Sequence, residues 1–472
     1  MMHLAVDIGA SSGRHIIGYL KDGKIVLQEV WRFENRLIEK NGHLCWDIDH
    51  LYEEVVRGIA ECRKQGYAPE TMGIDTWAVD YVLLDQDGNR TGDAVAYRDD
   101  RTDGVKDELE NTGILTFEEH YAKTGIQYQK FNTVYQLLAL KKEHPEQLEN
   151  ARCMLMIPDY LNYRLTGVKA QEYTNATTTA LVNAYTKDWD RELIAKLELP
   201  FQIFQKISVP GTVLGEFTDE IQKQTGLNMK VILPATHDTG SAFLSVPAKD
   251  DNSVFFSSGT WTLTGVENRE PITSAESMEH NFTNEGGYEY RFRYLKNIMG
   301  LWMIQNIRKE LADEKGNRPS FPQLIEAAQS AKTFPAVVDV DDDRFLAPDS
   351  MIEEVRNACK DTDQPVPETT GEVMQTVYNS LAADYQKAVK NLESLTGKTY
   401  TSVNIVGGGS QDMYLNQMTA NATGLTVYAG PTEGTALGNL IVQMIEEKEI
   451  ESLQKARDII RESFDIKEVK PQ

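Results

Sequence analysis

Along residues 4–33 the apolar positions fall into three runs separated by polar turns, a spacing that predicts three strands. The first turn is Gly9-Ala-Ser-Ser-Gly13, and the second, Lys21-Asp-Gly-Lys24, carries the Asp-Gly pair of a two-residue hairpin. Leu51, Val55 and Ile59 then recur at helical spacing and predict a helix over 49–64 with Asp49 as N-cap. Strands are expected at 71–75 and 81–85, followed by an Asp87-Gly88 turn, and helices and strands alternate to about residue 240. A short buried strand at 231–235 leads into a helix that starts at Asp238.

The polar stretch 247–253 reads as a joint between two domains, 1–246 and 247–472. After it the pattern begins again. Val254-Phe-Phe-Ser-Ser-Gly-Thr-Trp-Thr-Leu-Thr-Gly265 repeats the device of two strands around a Ser/Gly turn. Tyr288, Tyr290, Phe292 and Tyr294 alternate with charged residues and predict a strand with one aromatic face. Met374, Val377, Leu381, Tyr385, Ala388, Leu392 and Leu395 form the stripe of a long helix near 369–395. A strand at 403–406, glycines 407–409 and another helix follow. Both halves run from strand hairpins into alternating helices and strands, so the chain reads as a duplicated three-layer α/β unit with a cleft between the copies.

With 472 residues the chain exceeds the ~250–300 at which single cores stop growing, which agrees with two domains. A net charge of −24, from 72 acidic and 48 basic residues, argues against a nucleic-acid surface or an anionic membrane as partner. Any anionic ligand must be held by local amides, hydroxyls or a divalent cation. Cys45, Cys62, Cys153 and Cys359 are scattered and read as free buried thiols of a reducing compartment. No signal peptide and no apolar run of ~20 residues is evident, so a cytoplasmic protein is expected, a monomer or small homo-oligomer.

The chemistry concentrates in a few places. The two Ser/Gly turns leave backbone N–H groups and hydroxyls at strand ends, a concavity suited to an anion, and a pair of them facing each other suits a polyphosphate. Asp7 ends a buried strand beside the first turn; it either orients Mg²⁺ on a polyphosphate through water or caps the turn. Gly407-Gly-Gly409 suits close approach of a ligand to backbone, or a sharp strand-to-helix turn. Asp238, within Thr236-His-Asp-Thr-Gly240, either accepts a hydroxyl proton during phosphoryl transfer or caps its helix. Gly73-Ile-Asp-Thr-Trp-Ala-Val-Asp80 sets two carboxylates and an indole between strands, a combination suited to sugars or to a buried tryptophan with surface acids. Gly397-Lys-Thr399 mimics a P-loop tail but has Leu392 where the first glycine belongs. Asp339-Val-Asp-Asp-Asp343 lacks the glycine and glutamate of a calcium loop.

These stretches, with Ala96-Tyr-Arg-Asp99, Pro158-Asp-Tyr160, Leu165-Thr-Gly167, Glu172-Tyr-Thr-Asn-Ala-Thr177, Thr283-Asn-Glu-Gly-Gly287, Leu295-Lys-Asn-Ile-Met-Gly-Leu-Trp302 and Ala436-Leu-Gly-Asn439, resemble the FGGY carbohydrate kinases nearly end to end. The resemblance implies an α/β, two-domain actin-like (ribonuclease H-like) ATPase fold with duplicated βββαβαβα-type units. It implies Asp238 as proton acceptor, with ATP contacts at Ala10, Ser11, Ser12, Gly13, Arg14, Thr260, Gln305 and Gly408. Sugar contacts would be Ala78, His237, Asp238, Thr239 and Asn297, and Mg²⁺ would be held at Asp7. Within the family the Gly-Ile-Asp-Thr-Trp, Asn-Glu-Gly-Gly and Lys-Asn-Ile-Met-Gly stretches resemble the branch that phosphorylates L-rhamnulose at its 1-hydroxyl. Another ketose such as L-fuculose or L-xylulose is the alternative, and an ATP-gated sugar sensor or chaperone-like ATPase a remoter one. The resemblance leads to glycine at position 78, where this chain has alanine. A backbone contact tolerates the added methyl; packing of the sugar on that atom does not.

Overall fold

A computed structural model describes residues 1–259 and 261–472. The chain forms two compact units, one comprising Met1–Ser245, Glu267–Tyr294 and Gly434–Ser463, the other Val246–Val266, Leu295–Glu433 and Phe464–Gln472.

The first unit is built on a sheet ordered Val213–Glu216, Lys230–Ile232, Thr71–Thr76, Met2–Ile8, Ser12–Lys21, Lys24–Glu34. Met2–Ile8 pairs antiparallel with Ser12–Lys21 and parallel with Thr71–Thr76. The Lys21–Lys24 turn is the expected two-residue hairpin: Asp22 and Gly23 take φ of 52° and 77°, which matches the twist of the flanking strands. Helix Ile48–Lys64 buries Leu51, Val55 and Ile59 in one core with Leu4, Val6, Met72 and Ile74. Its N-cap is Asp47, whose side chain accepts from His50 N, rather than the expected Asp49. Asp49 lies in the first turn and pairs with Arg90 at 2.6 Å. Helix Gly434–Glu446 packs on the same sheet through glycines. A Cβ at Gly18 would lie 2.5 Å from Leu440 Cδ1, and one at Gly73 2.6 Å from Asn439 Oδ1. A second core, among them Tyr81, Leu83, Val134, Leu137, Met154, Leu181 and Trp189, fills the helical region between strands Tyr81–Leu84 and Ile207–Ser208.

The expected aromatic strand over 288–294 begins only at Phe292. Glu289 and Tyr290 have φ of 55° and 58°, so residues 288–290 form a turn, and only Phe292 and Tyr294 of the four aromatics are fully buried. The buried strand expected at 231–235 is Lys230–Ile232.

The second large sheet has seven strands, ordered Thr283–Gly286, Phe292–Ile298, Thr262–Asn268, Ser253–Ser258, Ser402–Val406, Thr426–Ala429, Lys467–Val469. Ser253–Ser258 pairs antiparallel with Thr262–Asn268 and parallel with Ser402–Val406. From Thr262–Asn268 to Lys467–Val469 these five strands repeat the order and sense of the first sheet from Ser12–Lys21 to Val213–Glu216, with an antiparallel edge strand in each. The duplication read from the sequence is therefore a duplication of topology. The long helix is Thr370–Thr396, opened by a Thr369–Glu372 capping box and closed by Gly397 at φ 66°. That closure accounts for the glycine of the P-loop look-alike. All four cysteines are free and buried.

Candidate active site

In the first unit two neighbouring strand ends carry carboxylates side by side, because Asp7 and Asp75 are register partners in the parallel pair. Arg14 lies opposite Asp7 across the hairpin and binds it at 2.6 Å. The turn between them is held by Gly9 N donating to Ser12 O (2.9 Å) and by Asn35, whose side chain donates to Gly9 O (3.0 Å). Ser11 is exposed, Ala10, Ser12 and Arg14 are half-buried, and Gly13 is buried with the Phe33 ring where a Cβ would sit. Asp75 is fully buried, and Asn439 donates to its Oδ2 at 2.6 Å. Burial, then the nearby Asp7 carboxylate, push the Asp75 carboxyl well above the usual aspartate range, against the pull of Asn439.

Thr76, at the end of the same strand, donates its N–H to Thr236 O at 2.9 Å and bridges His237. This joins the Asp238 loop to the sheet. Asp238 is the first residue of helix Asp238–Leu244, whose N-cap is His237 with no side-chain cap bond, so Asp238 is not the capping residue. Its side chain keeps 28 % exposure and accepts Thr239 N at 2.6 Å. Burial raises its pKa and so does Asp7, while His237 lowers it.

Two buried clamps hold this loop, and the sequence reading assigned neither a role. Glu172 accepts from Thr236 N (3.1 Å) and Thr236 Oγ1 (2.7 Å), and also from Thr174 Oγ1 (2.5 Å). Thr174 Oγ1 in turn accepts His237 N at 3.2 Å. On the other side Arg293, 1 % exposed, donates to Thr239 Oγ1 (2.5 Å) and Gly286 O (2.9 Å) and lies 3.0 Å from both His237 Nδ1 and Glu285 Oε2. Burial alone would raise the Glu285 carboxyl, but Arg293 and His237 outweigh it and hold it at about 2. A charged Arg293 between buried Phe292 and Tyr294 was the readable signal, since a fully buried cation demands a partner.

Ala78 lies half-buried in the turn that leaves Thr76. Its neighbour Asp80, 1 % exposed, accepts four donors, two of them the indoles of Trp46 (2.6 Å) and Trp77 (2.9 Å), so it serves the turn's internal structure.

The remaining candidates lie in the second unit. Thr260 lies outside the described residues. Gly259 O accepts Leu301 N at 3.2 Å, which brings the start of helix Trp302–Glu310, and half-buried Gln305 one turn into it, to the second Ser/Gly turn. Two of the three glycines at 407–409 are explained by packing: a Cβ on Gly407 would lie 2.8 Å from Ser258 O, and one on Gly409 2.0 Å from Ser258 Oγ. Gly408 is exposed, with nothing within 4 Å of a Cβ. The segment is a short 3-10 turn, Gly408–Gln411, ahead of helix Met413–Thr423. Asn297 is half-buried on strand Phe292–Ile298.

Residues 2–245 match the N-terminal domain, and residues 254–447 the C-terminal domain, of the FGGY family of carbohydrate kinases. The chain belongs to this family. Full-length FGGY relatives include a rhamnulokinase of Oceanobacillus iheyensis, 51% identical over 98% of this chain and 97% of its own length. A rhamnulokinase of Bacillus subtilis is 44% identical over 100% of this chain and 96% of its own length. Among solved structures, a gluconate kinase from Lactobacillus acidophilus superposes with a TM-score of 0.82 at 18% identity, covering 100% of this chain and 94% of that one. The fold is the two-domain FGGY kinase fold, of the actin-like ATPase type. Among the described residues no helix is long and apolar enough to cross a membrane.

Proposed function

We propose that this FGGY kinase transfers the γ-phosphoryl group of ATP to the 1-hydroxyl of L-rhamnulose, giving L-rhamnulose 1-phosphate and ADP in L-rhamnose catabolism, in the cytoplasm. The observation that carries the reading is Asp238: a carboxylate at a strand-to-helix junction, partly open, pinned on both flanks, and not engaged as a helix cap. In this reading Asp238 accepts the hydroxyl proton as the sugar oxygen bonds to phosphorus and the bridging P–O bond to ADP breaks. Burial raises the Asp238 pKa, which makes its carboxylate a stronger base. His237, Thr239, Ala78 and Asn297 orient the ketose. Ala10, Ser11, Ser12, Gly13 and Arg14, with Thr260, Gln305 and Gly408, handle the nucleotide.

Among the described residues no group of three or more His, Cys, Asp or Glu is arranged to hold a metal by itself. A Mg²⁺ that keeps its waters and binds mainly phosphate oxygens needs less than that, and Asp7 at its strand end, beside exposed Ser11 and with one oxygen on Arg14, fits it through water. When bound, Mg²⁺ supplies charge neutralisation to the phosphates. The base and most ketose contacts are assigned to residues 1–246 and the adenosine of the nucleotide to 247–472, near Gly407–Gly409, in a monomer or small homo-oligomer.

The experiment is a panel of ketoses, L-rhamnulose, L-fuculose and L-xylulose among them, each with ATP and Mg²⁺, with the phosphorylated product identified by mass and NMR. L-rhamnulose 1-phosphate as the main product supports the reading. Preference for another ketose, or ATP hydrolysis without sugar, contradicts it.

A further inference from the structure

Beside Asp238 stands a side chain that is ordinarily the better base. His237 immediately precedes it, and Nε2 of its ring lies 3.5 Å from Asp238 Oδ1. An imidazole titrates nearer to neutrality than a carboxylate and is the commonest general base. What keeps this ring from taking the alcohol's proton is read from its other nitrogen.

Nδ1 of His237 meets Arg293 Nη2 at 3.0 Å. A guanidinium carries only donors and stays charged, so Nδ1 is the acceptor of this bond. A neutral imidazole has one N–H and one ring lone pair. With the lone pair on Nδ1 committed, the proton is on Nε2. One rival for Nδ1 lies close: Glu285 Oε2, at 3.3 Å, could accept a proton placed there. Yet that oxygen is a buried atom with no hydrogen bond of acceptable geometry, either from Nδ1 or from Arg293 Nη2, 3.0 Å away. Its attraction to Arg293 is charge to charge, and the Nη2–H is aimed at the ring.

The guanidinium has little freedom to do otherwise. Arg293 is 1 % exposed, and it donates at the same time to Gly286 O through Nε (2.9 Å) and to Thr239 Oγ1 through Nη1 (2.5 Å). Three bonds from three nitrogens fix the plane of its fork. The ring is held as well. His237 N donates to Thr174 Oγ1 at 3.2 Å, and Thr239 Oγ1 stands 3.1 Å from Nε2, an acceptor for its N–H.

We propose that Arg293 is a positioning residue that occupies the Nδ1 lone pair of His237 and so fixes the ring proton on Nε2. The Asp238 carboxylate then faces an N–H and no competing lone pair, which leaves it the single base in its loop. The inference rests on the reading of Asp238 as proton acceptor given above. It also gives a purpose to a buried cation, whose desolvation is costly unless its partners offset it.

Nitrogen-15 NMR of the histidine rings in the full-length protein tests this without any substrate, so its failure and that of the kinase reading are separable. The chain has 8 histidines, and the His237 signals are those missing from His237→Gln protein. At neutral pH the wild type is expected to show a protonated Nε2 and an unprotonated Nδ1. Glu285→Gln, which leaves Arg293 in place, should keep this pattern. Arg293→Lys retains the charge but not the fork. It should lose the single tautomer, while kcat falls about ten- to hundredfold at unchanged KM for ATP. A protonated Nδ1 in the wild type, a switch of tautomer in Glu285→Gln, or an Arg293→Lys variant with unchanged pattern or kcat overturns the proposal. Should Arg293→Lys not fold, the wild-type and Glu285→Gln spectra decide.

Discussion

Asn439 donates to the buried Asp75 carboxylate across 2.6 Å and to Gly73 O across 3.1 Å, tying helix Gly434–Glu446 to the strand whose end, Thr76, is bonded to the Asp238 loop. The link continues as a buried polar chain. Gln443 donates to Asn439 Oδ1 (2.7 Å) and Leu4 O (3.0 Å), Thr71 donates to Gln443 Oε1 (2.6 Å), and His3 joins Thr71 to Glu449 (both 2.7 Å). Every side chain between Asp75 and His3 in this chain is buried. Asn439→Ala strands the Asp75 carboxylate without its donor and opens the chain at its head. We expect a loss of about 1–3 kcal/mol, read by urea denaturation. A variant as stable as wild type would show the link to be idle.

Helix Asp238–Leu244 lies close against helix Gly434–Glu446, and a Cβ at Gly438 would stand 1.7 Å from Ser241 O. Backbone cannot move aside as a side-chain tip can. Gly438→Ala should cost at least the ~1–3 kcal/mol of ordinary overpacking and displace the helix that begins at Asp238. Gly408→Ala, which meets open space, should stay within ~0.5 kcal/mol of wild type. Its effect is expected in KM for ATP. Thermal melts and nucleotide kinetics on the two variants check both statements.

Glu285 titrates in a direction that fixes a sign. Its folded pKa, about 2, lies below the ordinary glutamate value of 4.5. The folded state therefore binds fewer protons than the unfolded one between these values, and the contribution is present above about pH 4.5 and lost as pH falls toward 2. Glu285→Gln should flatten the decline of stability across that window, at the expense of a weaker partner for Arg293 at neutral pH. Denaturant midpoints measured from pH 6 down to pH 3 test this; parallel curves for variant and wild type would refute it.

Much of this architecture is readable from local pattern because it is locally determined. The hairpins follow from alternation plus Asp22-Gly23, and the long helix from its stripe and from Thr369 and Glu372 at capping spacing. The Asp238 loop was visible as a motif after a buried strand. The clamps were not, because Glu172 and Arg293 reach it from 64 residues upstream of Thr236 and 54 downstream of Thr239, and no periodicity encodes that meeting. Both sit in or beside stretches matched to the family, yet a motif match names residues without saying what they touch. The aromatic strand failed for a different reason: alternation was intact over 288–294, but Glu289 and Tyr290 adopt left-handed backbone that the pattern does not reveal. The displaced N-cap, Asp47 for Asp49, is a choice between two equally good acids two residues apart.

The measurement that bears most directly on the central claim is the turnover of Asp238→Asn. Amide replaces carboxylate with almost no change in shape, so ketose binding followed by calorimetry should persist while kcat falls by about 10²–10⁴-fold, the scale of a lost general base. A variant that binds the ketose and turns over at near wild-type kcat would contradict the account.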